Sequence, residues 1–349
     1  MSDARPARKF RLSAILTHQT ILLIVLVGLV VVFGIIEPVF FKPRVLFDVF
    51  SIVGEIGLMA MAMTFIITTG GVDLGVGYNL QMSAIVFGLA WRATNNLALA
   101  MILTVLAGLA GGAFNGLIIS RTKIPPLVTT LATMYLYRGI SFILAGTDTF
   151  AGFPEPLFAV STTKLFGFMP LQTIYLIVVF LIMDYFYERG ALGRNLKGMG
   201  FNENAVIFSG VNTRRIKLGI YSLMGLLCGV AAVIYLGRLS AAKTSMGDYM
   251  NFEVITAVLL GGTSIMGGVG SMRGTLIGVL MIGVLKKGFT LLNFSGNIYN
   301  FTLGILLILS LIVFALEEER KRVSSREEAA VPATSPSAEQ EPAGQGPPA

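Results

Sequence analysis

Long apolar runs separated by short polar segments dominate the chain. A helix rises about 1.5 Å per residue, so about 20 apolar residues cross a hydrocarbon core of about 30 Å. Eight runs approach that length, and two more, near 79–92 and 252–266, are shorter. The eight lie near 20–36, 47–69, 96–120, 127–146, 170–187, 216–237, 274–292 and 299–316. This pattern predicts an all-α, polytopic integral membrane protein with about ten transmembrane helices, some short or broken.

Clusters of glycine adjoin both short runs. Gly70 and Gly71, with Gly75 and Gly77, precede the first; the second contains Gly261 and Gly262 and leads into further glycines at 267, 268 and 270. Short, glycine-interrupted segments are typical of broken or re-entrant helices, which persist at membrane depth only where protein or water covers their backbone. We expect these two places to lie near a pathway, whether the runs span the membrane or re-enter it.

The composition agrees with lipid as the main solvent. Hydrophobic residues make up 54% of the 349 residues and charged residues 13%, too apolar a balance for a water-soluble globule. The single cysteine, Cys228, precludes an intrachain disulfide and lies in an apolar run, where packing is its expected role. The single histidine, His18, leaves no basis for a histidine metal cluster or a catalytic triad.

Lysine and arginine are distributed unevenly between the two sides that ten spans define. Of the 26 basic residues, 17 fall on the side of the N-terminus, 6 on the opposite side and 3 inside spans. The positive-inside bias therefore predicts that both termini are cytoplasmic, and it explains the net charge of +7 without nucleic-acid binding. We divide the chain into a basic cytoplasmic N-terminus (1–19), an uncleaved transmembrane domain (20–316) and a disordered cytoplasmic tail (317–349).

The sequence lacks the residues that several activities require. No GxxxxGK[ST] loop is present to hold ATP phosphates, and nothing points to another cofactor or to an enzyme. Glu55 is the only acid well inside a predicted span, whereas proton-coupled carriers usually need several intramembrane acids or histidines. Sodium coupling through backbone carbonyls stays open. We expect the energy to come from a separate partner.

The longest charged segment between apolar runs is residues 188–217, on the predicted cytoplasmic side. Within it, residues 202–210 can form a short amphipathic helix. Asn202 is a suitable N-cap, residues 206–208 (Val, Ile, Phe) supply an apolar side, and Gly210 would end the helix. The alternative is an ordinary loop whose basic residues only set the topology.

A series of short segments along the chain forms a recognisable pattern: residues 68–77, 115–119, 124–126, 129–131, 138–139, 193–194, 200–205, 209–211, 260–264, 267–268 and 274–278. Taken together and in this order, these segments resemble the ribose-type permeases of bacterial monosaccharide ABC importers, relatives of the branched-chain amino acid permeases. The resemblance covers roughly residues 20–316.

The resemblance implies a complex with partners. It implies two ATP-binding ABC subunits, a periplasmic sugar-binding protein, and a second permease copy or a paralogue, all at the bacterial inner membrane. By analogy, the loop 188–217 is the coupling loop that docks on the ATPase. The expected coupling residues are Gly200, Asn202, Glu203, Asn204, Ala205, Phe208, Ser209 and Gly210. Relatives often carry an acid followed by two alanines here, whereas this chain has Asn204 at the second position.

Six polar residues are candidates for the translocation path. They are Asp73, Asn79, Asn115, Thr130, Arg138 and Glu253. Asp73 either caps the broken third span or places a carboxylate at the inner mouth of the path. Arg138 either contacts sugar or pairs within the bundle, with Glu253 as the expected partner. The side chains of the other residues are suited either to the path or to hydrogen bonds that hold helices together.

The resulting hypothesis is a permease subunit that moves a monosaccharide or similar polyol. An amino acid or nucleoside ABC permease is the nearest alternative. A self-sufficient ion-coupled carrier is the alternative from another class, and a structural or insertase-like membrane protein leaves the polar, glycine-rich interruptions without an obvious use. Which sugar is moved is not encoded in any residue pattern that we recognise.

Overall fold

The computed structural model describes residues 18–330. Within this range there are twelve α-helices and a short 3-10 helix at Pro38–Phe41. The α-helices are α1 (His18–Ile36), α2 (Pro43–Thr68), α3 (Val76–Thr94), α4 (Leu97–Arg121), α5 (Pro126–Ala145), α6 (Glu155–Thr162), α7 (Leu171–Glu188), α8 (Ala191–Phe208), α9 (Thr213–Leu239), α10 (Met250–Leu260), α11 (Met272–Leu291) and α12 (Gly296–Ala330). The contacts divide the chain after Ser310, and all the residues of the candidate sites discussed below lie in the first unit.

The ten predicted runs lie wholly or mostly on helices, which confirms the all-α membrane fold. Seven helices, α1, α2, α4, α5, α7, α9 and α11, are long and apolar enough to cross a membrane, and α10 and Gly296–Ile312 of α12 are shorter apolar helices. The run 79–92 lies in a 19-residue helix, α3, which is not among the helices apolar enough to count as candidate spans. The run 252–266 is not helical throughout, because α10 ends at Leu260. Helix α12 continues through 317–330, and residues 331–349 of the predicted tail lie outside the described range.

Helix α2 forms the centre of the bundle. From residue 53 to residue 68 it is almost entirely apolar and is buried on every side, and the helix contacts α7, α9, α10 and α11. Helix α3 packs against α4, α5 and α9, while α1 lies against α11. Cys228 of α9 is fully buried, with its sulfur 3.6 Å from the carbonyl oxygen of Val76, as its apolar surroundings predict.

Helices α4 and α9 meet through glycines. A Cβ atom on Gly112 would lie 2.3 Å from the carbonyl oxygen of Tyr221 and 2.6 Å from Gly225, and one on Gly108 would lie 2.5 Å from the Gly225 carbonyl oxygen. Any side chain there would separate the two helices. Small residues at such spacing let backbones approach closely, which is the main source of helix association in lipid.

Short strands connect the helices at one end of the bundle. β1 (Phe150–Ala151) pairs antiparallel with β4 (Ala241–Ala242), with Phe150 opposite Ala242. β2 (Lys164–Leu165) pairs with β3 (Met169–Pro170). The first pair ties the connection after α5 to the connection after α9, so these two segments of the chain are held side by side.

Candidate functional site

Two glycine connections meet at the other end of the bundle. They are residues 69–75, between α2 and α3, and residues 261–271, between α10 and α11. The Gly268 amide donates to the carbonyl oxygen of Thr68 at 2.8 Å. Gly268 has φ of +78°, in the left-handed region that favours glycine. The two segments that the sequence predicted as interruptions between helices therefore lie against each other in the fold.

Helix α8 lies directly on the glycine connections. A Cβ atom on Gly200 would lie 2.0 Å from the Gly268 amide nitrogen and 2.1 Å from the Thr68 carbonyl oxygen. Thr68 also bonds to α7, since its hydroxyl oxygen lies 2.9 Å from the hydroxyl oxygen of Tyr187. No side chain separates Gly200 from Thr68 and Gly268, so a displacement of α8 pushes directly on the end of α2 and on the second glycine connection.

The second part of α8 is the short helix predicted at 202–210. Asn202 departs from helical geometry (φ −159°, ψ 97°), and its side-chain oxygen accepts from the Ala205 amide at 3.1 Å. The N-cap prediction is therefore confirmed. Gly210 follows the last turn with φ of +83°, also as predicted. The kink lets this segment, residues 202–210, turn away from the axis of the preceding helix.

The apolar side of segment 202–210 faces outward. Phe208 is 90% exposed and Ile207 is also exposed, while Val206 is half-buried and lies near Gly198. Glu203 is bonded to Lys217 of α9, with 2.7 Å between Oε2 and Nζ. Asn204 and Ala205 are exposed, and the exposed Ser209 donates to the Ala205 carbonyl oxygen at 2.9 Å. The segment therefore presents large apolar side chains that its own chain leaves uncovered.

Four of the six path candidates lie close to the first glycine connection, and all four are buried. Asp73 accepts from the Gly75 amide at 2.8 Å, immediately before α3, and its carboxylate oxygens lie 3.5 Å from the Asn115 amide nitrogen. Thr130 donates to the carbonyl oxygen of Val72 at 3.0 Å. These bonds join α3, α4 and α5 to the connection.

Asn79 and Tyr137 extend this network. Asn79 donates to the Gly108 carbonyl oxygen at 3.1 Å, while its side-chain oxygen has no partner among the described residues. The Tyr137 hydroxyl lies 2.8 Å from both the Asn115 side-chain oxygen and the Gly111 carbonyl oxygen. Tyr137 was not among the predicted residues, since nothing in the sequence marks it among ten tyrosines.

Burial sets the charge state of Asp73, which lies outside the candidate spans. Desolvation raises the pKa of its carboxyl to about 6, although the hydrogen bonds from Gly75 and Asn115 act in the opposite direction. The carboxyl accepts from the amide of Gly75, the N-cap residue of α3, and contacts Asn115 of α4, but the N-terminus of α3 has no side-chain cap. Asp73 therefore tightens the turn before α3 and joins it to α4, and the expectation that it caps the third span is wrong.

The predicted pair between Arg138 and Glu253 is wrong. Glu253 pairs with Lys286 of α11, with 2.6 Å between Oε1 and Nζ. Arg138 instead lies over the rings of Tyr78 and Phe142, at 5.5 and 5.9 Å from their centroids. Lys286 is one of the three basic residues that fall inside predicted spans. The sequence alone does not show that α10 brings Glu253 close to it.

A second buried ion pair was not predicted. Glu55, 1% exposed in the middle of α2, bonds to Arg238 at the end of α9. The sequence marked Glu55 as an intramembrane acid but placed Arg238 in a loop. Among residues 18–330, no three His, Cys, Asp or Glu side chains converge to hold a metal ion.

Comparison with known proteins identifies the family. The family model described as "Branched-chain amino acid transport system / permease component" matches residues 45–311. The ribose import permease protein RbsC of Bacillus subtilis is 36% identical over 287 residues, 82% of this chain and 89% of that protein. RbsC of Escherichia coli K12 is 32% identical over 315 residues, 88% of this chain and 96% of that protein.

A third relative is named for a different substrate. The autoinducer 2 import system permease protein LsrD of Klebsiella pneumoniae is 31% identical over 318 residues, 88% of this chain and 94% of that protein. No solved structure matches the chain at a significant level. The family match covers most of the bundle, from α2 to α12, and includes both glycine connections and α8. The chain therefore belongs to the family of branched-chain amino acid transport system permease components, and its resemblance to the ribose-type permeases is confirmed.

Proposed function

We propose that this chain is the membrane-spanning permease subunit of a bacterial ABC importer. It translocates a monosaccharide or related small polyol, which a periplasmic binding protein delivers, and separate ATPase subunits supply the energy. The relatives named as ribose and autoinducer 2 import permeases support this proposal over an amino acid or nucleoside permease. The permease works beside a second copy or a paralogue, in the inner membrane, with both termini cytoplasmic.

The observation that carries the proposal is the arrangement of α8. Its exposed apolar end, residues 202–210, follows Gly200 directly across the kink at Asn202, and Gly200 packs on Gly268 of the second glycine connection and on Thr68, the last residue of α2. A partner that binds Phe208 and Ile207 can therefore displace the two glycine connections, between α2 and α3 and between α10 and α11. This is the mechanical requirement for a transporter that receives its energy from another protein.

The polar network beside the connections is the inner part of the proposed path. Asp73, Asn79, Asn115 and Thr130 hold the start of α3 against α4 and α5. Movement of the first glycine connection changes these bonds, because Asp73 belongs to that connection. Glu253 and Arg138 lie farther along the bundle and form its outer part.

The test is ATPase activity of the chain co-purified with its candidate ATPase and reconstituted in liposomes, with and without sugar-loaded binding protein. Phe208→Ala removes the most exposed apolar side chain of segment 202–210. We expect sugar-dependent ATPase stimulation to fall at least tenfold. Phe301→Ala is the matched control, because Phe301 is also an exposed phenylalanine (71%) but lies on α12.

Two results would contradict the proposal. If no ATPase co-purifies and an ion gradient alone drives sugar uptake, the chain is a secondary carrier. If the complex forms but the amino acid leucine stimulates ATP hydrolysis and sugars do not, the permease serves amino acids.

A further inference from the structure

A pocket lies near the middle of the membrane, where the connection between α9 and α10 turns back into the bundle. Residues 243–249 of that connection are not helical, and Gly247 packs on Gly77 near the start of α3. Helix α10 has 11 residues, so it is about 16 Å long, half of a hydrocarbon core of about 30 Å. Because α10 ends at the glycine connections, its start lies near mid-depth.

The position of Arg138 gives the same depth independently. It is 12 residues after Pro126, where α5 begins, which is about 18 Å along the helix. Non-helical backbone at this depth is stable only where protein covers it or where it lines a water-filled cavity. Discontinuous helices at mid-depth are also where transporters commonly place their substrates.

The pocket has a volume of about 270 Å³, slightly below the range of about 300–1,000 Å³ that suits drug-sized ligands. A pentose or hexose is smaller than such ligands. The polar and aromatic residues of its lining are Tyr78, Arg138, Asp248, Tyr249, Asn251 and Phe252. The Tyr78 hydroxyl donates to Asp248 Oδ1 at 3.1 Å, so the carboxylate is held toward the pocket wall.

The pocket opens on a face that is unsuited to lipid. The side chain of Arg138 is exposed, and within residues 18–330 no carboxylate lies within ion-pair distance of it. An arginine facing lipid at mid-depth is unfavourable for insertion by roughly seventyfold or more, even on the mildest scales. We conclude that water, and not lipid, meets this face, as it would in a path shared with a second permease copy.

We propose that this pocket binds an uncharged monosaccharide in transit, an inference that rests on the proposed function. Sugar hydroxyls both donate and accept hydrogen bonds, so they can use the Asp248 carboxylate, the Arg138 guanidinium and the Asn251 amide together. The rings of Tyr249 and Phe252 offer apolar surface to the carbon-bound hydrogens of the sugar. One positive and one negative side chain leave the pocket without net charge, which suits a neutral ligand.

The experiment uses the reconstituted complex with ATPase and binding protein. Uptake of radiolabelled ribose, galactose and leucine is measured beside ATP hydrolysis. Tyr78→Phe and Asp248→Asn each remove one polar contact with little change of shape. Since hydrogen bonds to charged groups are the strong ones, we expect Asp248→Asn to lower sugar moved per ATP by roughly tenfold to a hundredfold, and Tyr78→Phe by less.

The control is Tyr135→Phe, which removes the hydroxyl of an exposed tyrosine on α5 that does not line the pocket. Thermal unfolding of each variant checks the fold. Unchanged sugar uptake per ATP in both pocket variants would overturn the site while leaving the permease function intact. Transport of leucine that depends on Asp248, with no sugar uptake, would overturn the ligand class. Absence of any ATP-dependent uptake by the wild-type complex would instead remove the proposed function.

Discussion

Gly200→Ala is expected to weaken the link between α8 and the two glycine connections. The new Cβ would lie 2.0 Å from the Gly268 amide nitrogen, whereas ordinary contacts begin near 3.4 Å. The three nearest atoms that it meets, this nitrogen, the Thr68 carbonyl oxygen and the Gly267 carbonyl carbon, are all backbone atoms, so no side chain can rotate away. Helix α8 must therefore move by about 1.4 Å, the difference between the two distances.

This displacement has two measurable effects. Overpacking of this kind lowers the free energy of unfolding by about 1–3 kcal/mol, which thermal unfolding in detergent detects. Because the displaced α8 touches Gly268 and Thr68 only through the new methyl group, about 1.4 Å from its normal position, movement of segment 202–210 reaches the connections only in part. We expect ATP hydrolysis in the reconstituted complex to continue while sugar uptake per ATP falls at least fivefold.

The matched control is Gly219→Ala in α9. A Cβ there meets nothing within 4 Å, and alanine favours a helix interior by up to about 1 kcal/mol over glycine. This variant should be at least as stable as the wild type and should transport normally. If Gly200→Ala transports sugar with the wild-type yield per ATP, α8 does not act through these backbone contacts and the reasoning fails.

Three further predictions concern the bundle. Glu55→Gln leaves the Arg238 charge unpaired and should lower the unfolding free energy by about 3 kcal/mol, while replacing both residues by methionine should restore most of it in thermal unfolding. Asp73→Asn should change how the free energy of unfolding depends on pH. Because the fold favours the protonated carboxyl, the stability of the wild type should fall relative to that of the variant by about 3 kcal/mol as pH rises from about 4 to above 6. Equal pH profiles of the two proteins would contradict the raised pKa. Gly112→Ala should lower the unfolding temperature by forcing α4 from α9 at Gly225, whereas an unchanged temperature would show that the interface tolerates a methyl group.

Helix positions could be predicted from the sequence because the apolar runs have the length of a membrane crossing. The cap at Asn202 and the stop at Gly210 were equally accessible, since capping depends on neighbouring residues only. The end of α10 at Leu260 was missed because Gly261 and Gly262 do not lower the apolarity of the run, although they stop the helix.

Ion pairs between helices could not be predicted in the same way. Glu253 pairs with Lys286 because α10 and α11 are antiparallel neighbours, and Arg238 reaches Glu55 because α9 packs on α2. Both facts depend on packing between segments that are 33 and 183 residues apart. The contact of Gly200 with Thr68 and Gly268 has the same origin, as glycine carries no side chain whose chemistry could indicate a partner.

The burial of Cys228 makes the natural chain suitable for site-specific labelling. It is the only cysteine of the 349 residues, and it lies fully buried between α9 and the start of α3. A thiol reagent should therefore leave the native protein unmodified, so no cysteine-free background is needed. A single cysteine placed at an exposed position outside the proposed site, such as Phe301 of α12, would carry a fluorophore or spin label by itself, and its environment could be followed during ATP turnover.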